Sequence, residues 1–367
     1  MNIAIVPWTN KCLGNRMFMT SSPGEEVYTR VFVAEKEYFE SKGYRYETID
    51  QYSSLEEVDW ILVYYGNLYH RYMREFLKQH CENKLIYLAI EPEVVVHFHE
   101  SRKMRKVLSY AKYIVTWNRE AIDGKRIFPV NVPYIMETNF GNIPFEKRKL
   151  LTAIYSNKSG TGKKELYSER RNIFQYFEDK KDIFDLYGYG WSSDEFHNYK
   201  GEVGGKAEIY QKYRFAIALE NVKNVGGGIS EKIFDCLCAG VVPIYYGASD
   251  IEQYVPKEAF IDYGKFKDIN EMYHFLENMN SKTWETYISA GRKYLESKQT
   301  QLVSVELYCK ALEDIMIQNP AKDMNFNILK RKWYVFYFWV VNTFFARGCK
   351  YIFRKFFVAL KNKKFCK

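Results

Sequence analysis

Along the first 148 residues, short apolar runs alternate with amphipathic stretches. The runs "NIAIVPW", "YRYETID", "VDWILVYYG", "KLIYLAI" and "KYIVTW" have the length and composition of strands. Between the first two, "EEVYTRVFVAEKEYFESKG" spaces its apolar residues as a helix does and stops at Gly43, a residue type that closes helices. Such alternation predicts an α/β domain with a mostly parallel sheet. The rhythm restarts near residue 150 with "LLTAIYS", "ELYSERRNIFQYFEDK", "IFDLYGYG", "RFAIALE" and "AFIDYG", and ends in a run of helices through "QLVSVELYCKALEDIMI". The pattern predicts two Rossmann-like domains, 1–148 and 149–320, facing a cleft, followed by a tail, 321–367. The segment "VNVPYIMETNFGNIPFEKRK" reads as the linker. In such sheets ligands bind beyond the C-terminal ends of the strands, so chemistry is sought there.

Composition fits this picture and narrows it. The chain is 47% hydrophobic and 27% charged over 367 residues, enough for two cores. The net charge of +9 is unevenly placed. Met324 to Lys367 holds 11 Lys and Arg and no acidic residue, against 43 basic and 45 acidic residues before it. Overall charge therefore gives no nucleic-acid-binding surface on the body of the protein. Of seven cysteines only Cys236 and Cys238 are close in sequence, and i, i+2 on a helix forms no bridge. They read as reduced thiols of a cytosolic protein. The N-terminus "MNIAIVPWTNKC" reads as a first strand, not a signal peptide.

The densest chemistry lies in "RFAIALENVKNVGGGISEKIF": a strand, a polar exit, three glycines and a helix start. A helix N-terminus offers free N–H groups and roughly half a positive charge, an arrangement that suits phosphate. Ser230 reads as the N-cap. Lys232 in the first turn opposes the helix dipole and makes sense beside an anion, while Glu231 can accept hydrogen bonds from sugar hydroxyls. "SGTGKKE" at 159–165 lacks the spacing of a phosphate-binding P-loop.

Read together, "YRFAIALEN" and "ISEKIFDCLCAGVVPIYYGASDI" resemble the donor-binding signature of the α-1,3/4-fucosyltransferases of glycosyltransferase family 10, through Glu220, Asn221, Glu231, Lys232, Gly240, Pro243 and Gly247. The resemblance continues upstream in "IYSNKSGTGKKELYSERRNIFQYF", with Ser156, Asn157 and Arg171. It implies a GT-B fold and an inverting transfer of fucose from GDP-fucose to a glycan hydroxyl. It also implies a donor site including Ser156, Asn157, Arg171, Glu220, Asn221, Gly228, Ser230, Glu231 and Lys232. Arg171 would meet the pyrophosphate. Arg170 is its competitor, since adjacent helical residues point about 100° apart. One departure stands out: Gly228 occupies a place where the family commonly has an aromatic residue, which leaves the donor sugar open. No metal or other cofactor is implied.

An inverting transfer needs a base, which the family takes from its first domain in a Glu-Pro element. Here Glu91 follows the apolar run of "KLIYLAIEPEVVVHF" and precedes Pro92. A carboxylate at a buried strand end has a raised pKa, as a general base requires. Glu93 would share its face if the strand continued. His97 and His99 would share a face on a strand, but no third metal ligand is near. Trp117 and Asn118 resemble a family element at the next strand end and read as acceptor-side residues or core.

The tail "NILKRKWYVFYFWVVNTFFARGCKYIFRKFFVALKNKKFCK" has an apolar run from Trp333 to Ala346, shorter than the roughly 18–20 residues of a spanning helix. Basic residues flank it, so residues 328–367 read as a basic amphipathic helix on the anionic lipids of a cytoplasmic membrane face. Docking on the protein itself is the competing reading. Such a location suits an oligosaccharide acceptor on lipopolysaccharide or another surface glycan. Two other functions stay open: a GT-B transferase of another nucleotide sugar, and a non-catalytic nucleotide-sugar or glycan-binding protein.

Overall fold

The computed structural model describes residues 1–19, 26–180, 182–319 and 323–346. The first sheet is built of β1 (Asn2–Val6), β2 (Arg45–Thr48), β3 (Trp60–Tyr64), β4 (Leu85–Ala89), β5 (Tyr113–Thr116) and β6 (Ile127–Pro129). All pairings are parallel, in the order β2-β1-β3-β4-β5-β6. Helices α1 (Glu26–Ser41), α2 (Tyr69–Lys78) and the single turn α3 (Ser101–Met104) lie between strands. Both faces of the sheet are covered, which explains why its strands read as continuous apolar runs. Alternate residues feed two cores: Val63, Leu85 and Tyr87 one, and Leu62, Ile86 and Leu88 the other.

The second sheet holds β7 (Lys149–Ile154), β8 (Phe184–Tyr187), β9 (Tyr213–Leu219), β10 (Val242–Tyr246) and β11 (Ile261–Asp262), also parallel, in the order β11-β10-β9-β7-β8. Its helices are α4 (Tyr167–Tyr176), α5 (Ala207–Tyr210), α6 (Glu231–Ala239), α7 (Ile269–Glu277) and α8 (Ser281–Leu295). Two Rossmann-like sheets facing a cleft were expected, and this is the architecture found. Strand β6 and the short α5 were not anticipated, being too brief to carry a period.

Helix α9 (Val305–Gln318) corrects the domain boundary at 320. Its stripe of Val305, Tyr308, Leu312 and Ile315 is buried in the core of the first sheet. The chain therefore crosses back, and the last helix assigned to the second domain completes the first. Helix α10 (Ile328–Ala346) continues there. Phe338 is buried in the first domain's core beside Tyr69 of α2, and Arg331 pairs with Glu82. The start of the tail is thus docked on its own protein. Its outer face still presents Leu329, Trp333, Phe336 and Trp339 to solvent. Residues 347–367 of the predicted lipid-binding tail lie outside the described residues. Among the described residues no helix is long and apolar enough to cross a membrane.

Register sets the site. Ala89 pairs with Thr116, so Ile90–Glu91 and Trp117–Asn118 emerge side by side beyond the first sheet. In the second, Leu219 pairs with Tyr246, which brings Glu220 and Gly247 together.

Candidate active site

A cleft of about 900 Å³ runs between the two sheets. Glu91, Trp117 and Val132 line it from one side. Ser156, Arg170, Lys206, Glu220, Asn221, Gly228, Ser230, Glu231 and Lys232 line it from the other. The predicted base and most of the predicted donor residues therefore share one cavity.

Strand β4 ends at Ala89, and a turn begins at Pro92, whose carbonyl accepts from Val95 N and Val96 N. Glu91 is left at the cleft mouth, open to solvent but crowded by protein. Desolvation raises its pKa above the ordinary 4.5, and the Glu231 charge across the cleft raises it further, while Lys158 and Lys232 oppose both. The strand does not continue, so His97 and His99 share no face. They fall in a short 3-10 turn. His97 is exposed and contacts Lys103 Nζ at 2.8 Å, whereas His99 is buried. Glu93 reaches a small side cavity that Glu91 also lines. Among the described residues no group of three or more His, Cys, Asp or Glu is placed to hold a metal ion.

Helix α6 starts differently from expectation. Ser230 occupies the N-cap position, but its side chain caps no helix N–H. Its hydroxyl instead donates to Glu220 Oε2 at 2.7 Å, and its N–H donates to Glu220 Oε1 at 2.8 Å. The Ser230 side chain therefore leaves the first-turn N–H groups to other acceptors, as an anion site requires. Glu220 is thus a buried organiser of the helix start. Gly247 makes room for it: a Cβ there would lie 2.3 Å from Glu220 Cγ. Lys232 Nζ donates to Ser230 Oγ at 2.8 Å and lies 3.5 Å from Glu220 and 3.4 Å from Glu231. Two carboxylates therefore account for Lys232 in the first turn without a ligand. Burial alone would lower its pKa, but Glu231 and Glu220 outweigh burial and keep it charged. Burial alone would raise Glu231, yet Lys232 and Lys206 bring it down to about 2.

The glycine loop also differs. It was expected to be bare for a ligand's sake, but it packs on the first domain. Gly227 has φ +80°, and a Cβ on it would fall 2.2 Å from the Trp117 carbonyl oxygen. A Cβ on Gly228 would lie 2.9 Å from the Trp117 ring. Gly226 O accepts from Arg119 N at 3.2 Å, and Gly227 N donates to Asp250 Oδ1 at 2.8 Å. Gly228 still lines the cleft.

The arginine assignment is corrected. On α4 the inward stripe is Tyr167, Arg170, Ile173 and Phe174. Arg170 lines the cleft, donates to Asn221 Oδ1 at 2.8 Å and to Leu219 O at 2.9 Å, and stacks 4.3 Å from the centre of the Tyr155 ring. Arg171, one residue on, turns outward, pairs with Glu195 and donates to Asn157 Oδ1. Neither Arg171 nor Asn157 lines the cleft; Asn157 is held by Gly190 and Glu195. Trp117 is both core and cleft wall, packed with Val222 and Val225. Asn118 accepts from Glu120 N in a local turn and lines the side cavity.

Sequence reasoning missed Lys206, which lies 2.6 Å from Asp235, with Tyr134 OH donating to the same carboxylate at 2.7 Å. Its signal was present in "GEVGGK", a second glycine-rich stretch before a helix. Lys158, one residue before the stretch dismissed as a P-loop, also lines the cleft.

Comparison with known proteins follows this geometry. Two crystal structures of α1,3-fucosyltransferase, one with GDP, share the fold at TM-score 0.52. The GDP-bound one is 15% identical, over 89% of this chain and 92% of its own. T4 phage β-glucosyltransferase has TM-score 0.53 at 11% identity, over 87% and 100%. At these identities the likeness bears on fold alone, and the fold is that of two-domain GT-B glycosyltransferases. An α-(1,4)-fucosyltransferase of Arabidopsis thaliana is 32% identical over 108 residues, which span 28% of this chain and only 27% of the plant protein. The family model described as glycosyltransferase family 10 (fucosyltransferase), C-terminal, matches residues 144–331, the half of the chain that carries β7 to α6 and the Glu220–Ser230–Lys232 cluster. The chain belongs to glycosyltransferase family 10.

Proposed function

We propose that the protein transfers fucose from GDP-fucose to a glycan hydroxyl with inversion, in an α-1,3 or α-1,4 linkage. The observation that carries this reading is the single cleft shared by Glu91 of one sheet and the uncapped start of α6 of the other. Glu91 takes the proton of the acceptor hydroxyl. The acceptor oxygen attacks C1 of fucose from the face opposite the diphosphate, and the C1–O bond to GDP breaks as GDP leaves. Arg170, Lys206 and Lys232, with the N–H groups of α6, meet the charge that develops on the diphosphate. Fixed positive groups of this kind act on the transition state more than on bound substrate. In this reading they do the work a metal would otherwise do.

The acceptor is an oligosaccharide on lipopolysaccharide or another surface glycan. The outer face of α10, with Leu329, Trp333, Phe336 and Trp339 beside Lys330 and Lys332, would rest on anionic lipid at the cytoplasmic membrane face.

Calorimetry of the full chain with GDP-fucose, GDP-mannose, UDP-galactose and GDP, run with and without chelator, tests the donor. Binding of GDP and GDP-fucose that chelator does not weaken is the expected result. Preference for a uridine sugar would replace the donor assignment. Glu91→Gln should retain GDP-fucose binding and lose turnover by 10²-fold or more, the order a positioned base contributes. Full activity in that variant would sink the base.

A further inference from the structure

The base sits on backbone that has left its sheet. Beyond Ala89 no backbone donor to the Ile90 or Glu91 carbonyl is present among the described residues. Both carbonyls are met by side chains. Trp117 Nε1, from the end of β5, donates to Ile90 O. His99 Nδ1, from the 3-10 turn after the base, lies 2.6 Å from Glu91 O. A carbonyl only accepts, so Nδ1 carries the proton and donates. The other ring nitrogen, Nε2, lies 2.7 Å from Tyr87 OH and accepts from it. Burial of His99 lowers its pKa to about 4, so the neutral ring keeps this tautomer through the physiological range. Tyr87 and Trp117 are themselves buried, the first within β4. The chain Tyr87–His99–Glu91 therefore ties the base-bearing peptide to the strand it leaves, while Trp117 ties the preceding peptide to the neighbouring strand.

We propose that His99 is a positioning residue for Glu91, fixing the peptide that carries the base by its Nδ1–H bond to the Glu91 carbonyl. The proposal rests on the reading of Glu91 as base. Proton transfer from an acceptor hydroxyl is sensitive to where the carboxylate stands: misplacement by about 1 Å costs on the order of 10²-fold in rate. His99 thereby acquires a function in the segment where metal ligation was weighed.

The test compares His99→Leu, His99→Asn and Tyr87→Phe in the full chain. Readouts are kcat, the KM for GDP-fucose, GDP affinity by calorimetry and thermal stability. GDP release is followed with oligosaccharides bearing free 3- and 4-hydroxyls, and with water as the acceptor. His99→Leu should lower kcat roughly 10- to 100-fold with GDP affinity unchanged. His99→Asn places an amide N–H where Nδ1–H stood and should recover most of that loss. Tyr87→Phe, which keeps the ring and frees Nε2, should lower kcat severalfold and serves if His99→Leu does not fold. Unchanged kcat in His99→Leu would overturn the proposal. So would equal loss of kcat in His99→Asn and His99→Leu, or, if His99→Leu does not fold, unchanged kcat in Tyr87→Phe. Glu91→Gln separates the two ideas: if it stays active the base reading fails, and if it alone is inactive only the positioning role fails.

Discussion

Replacing Gly227 by alanine tests whether the glycine loop is bare for the first domain's sake. An L residue at φ +80° pays about 1–2 kcal/mol in backbone strain. The new Cβ would stand 2.2 Å from Trp117 O, where real Cβ atoms essentially never come within 3.0 Å, so the loop must retreat. Retreat breaks the Arg119 N to Gly226 O bond, about 1 kcal/mol net, and strains the bond from Gly227 N to the Asp250 carboxylate, roughly 1.5–3 kcal/mol. The expected total is about 3.5–6 kcal/mol, less if the loop adapts or the Asp250 bond survives. Ile229 and Ser230 follow directly, so the start of α6 shifts with the loop, and GDP should bind about 10-fold more weakly. Urea denaturation and calorimetry with GDP read both effects. Gly204→Ala and Gly205→Ala are the controls: nothing lies within 4 Å of a Cβ at either position, so both should leave stability unchanged. A Gly227→Ala protein with unchanged stability and unchanged GDP affinity would refute the reasoning.

Three further outcomes are expected. With Glu91 as the proposed base, activity should fall as pH drops through its raised pKa; Glu231→Gln removes a like charge and should move this acid limb to lower pH, whereas Lys158→Met removes an opposing cation and should move it higher. Shifts in the same direction in kcat/KM–pH profiles would show that another group titrates. Arg170→Lys loses its bonds to Leu219 and Asn221 and should weaken GDP binding about 10-fold or more, while Arg171→Lys leaves it unchanged; calorimetry separates them. Buried Glu35 is pushed up from 4.5 to about 8, mainly by desolvation. The stability it contributes as the neutral acid is full below pH 4.5 and is lost as pH rises to about 8, so Glu35→Gln should gain on the wild type across that window by up to roughly 5 kcal/mol. Denaturation midpoints that track each other at all pH values would remove Glu35 from the account.

The elements that could be read in advance are those whose pattern is local. Strands buried on both faces announce themselves as unbroken apolar runs; Glu91 and Lys232 were singled out by a strand end and a helix start together with the family resemblance, and Glu220 by the resemblance alone. What could not be read depends on rotation or on distance along the chain. Arg170 and Arg171 are neighbours on one helix, and only the packing of Tyr167, Ile173 and Phe174 decides which guanidinium turns inward. Helix α9 has the same stripe whichever sheet it covers, so its period cannot say that it crosses back. Ser230 looks like a cap because the residue that recruits its hydroxyl, Glu220, lies ten positions upstream.

The glycines illustrate the same limit more sharply. Gly228 looked like a loss, a site where an aromatic side chain had gone missing. In the folded chain the Trp117 ring of the first domain stands against it, closer than any Cβ would allow. The same indole holds the Ile90 carbonyl, one residue before Glu91. One first-domain side chain therefore touches both the peptide that precedes Glu91 and the loop that leads into α6. Glu120 adds to this join by pairing with Lys164 at 2.7 Å, and Arg119 by donating to Tyr254 at 2.8 Å. The distance between Glu91 and the cations of the cleft is set by these contacts between domains, not by either sheet alone. Because Glu231 and Lys232 of one domain bias the pKa of Glu91 on the other, the basicity of Glu91 depends on that same distance. A bulkier residue at 228 would part the two halves of the site, so the absent side chain is what lets the first domain supply the ring.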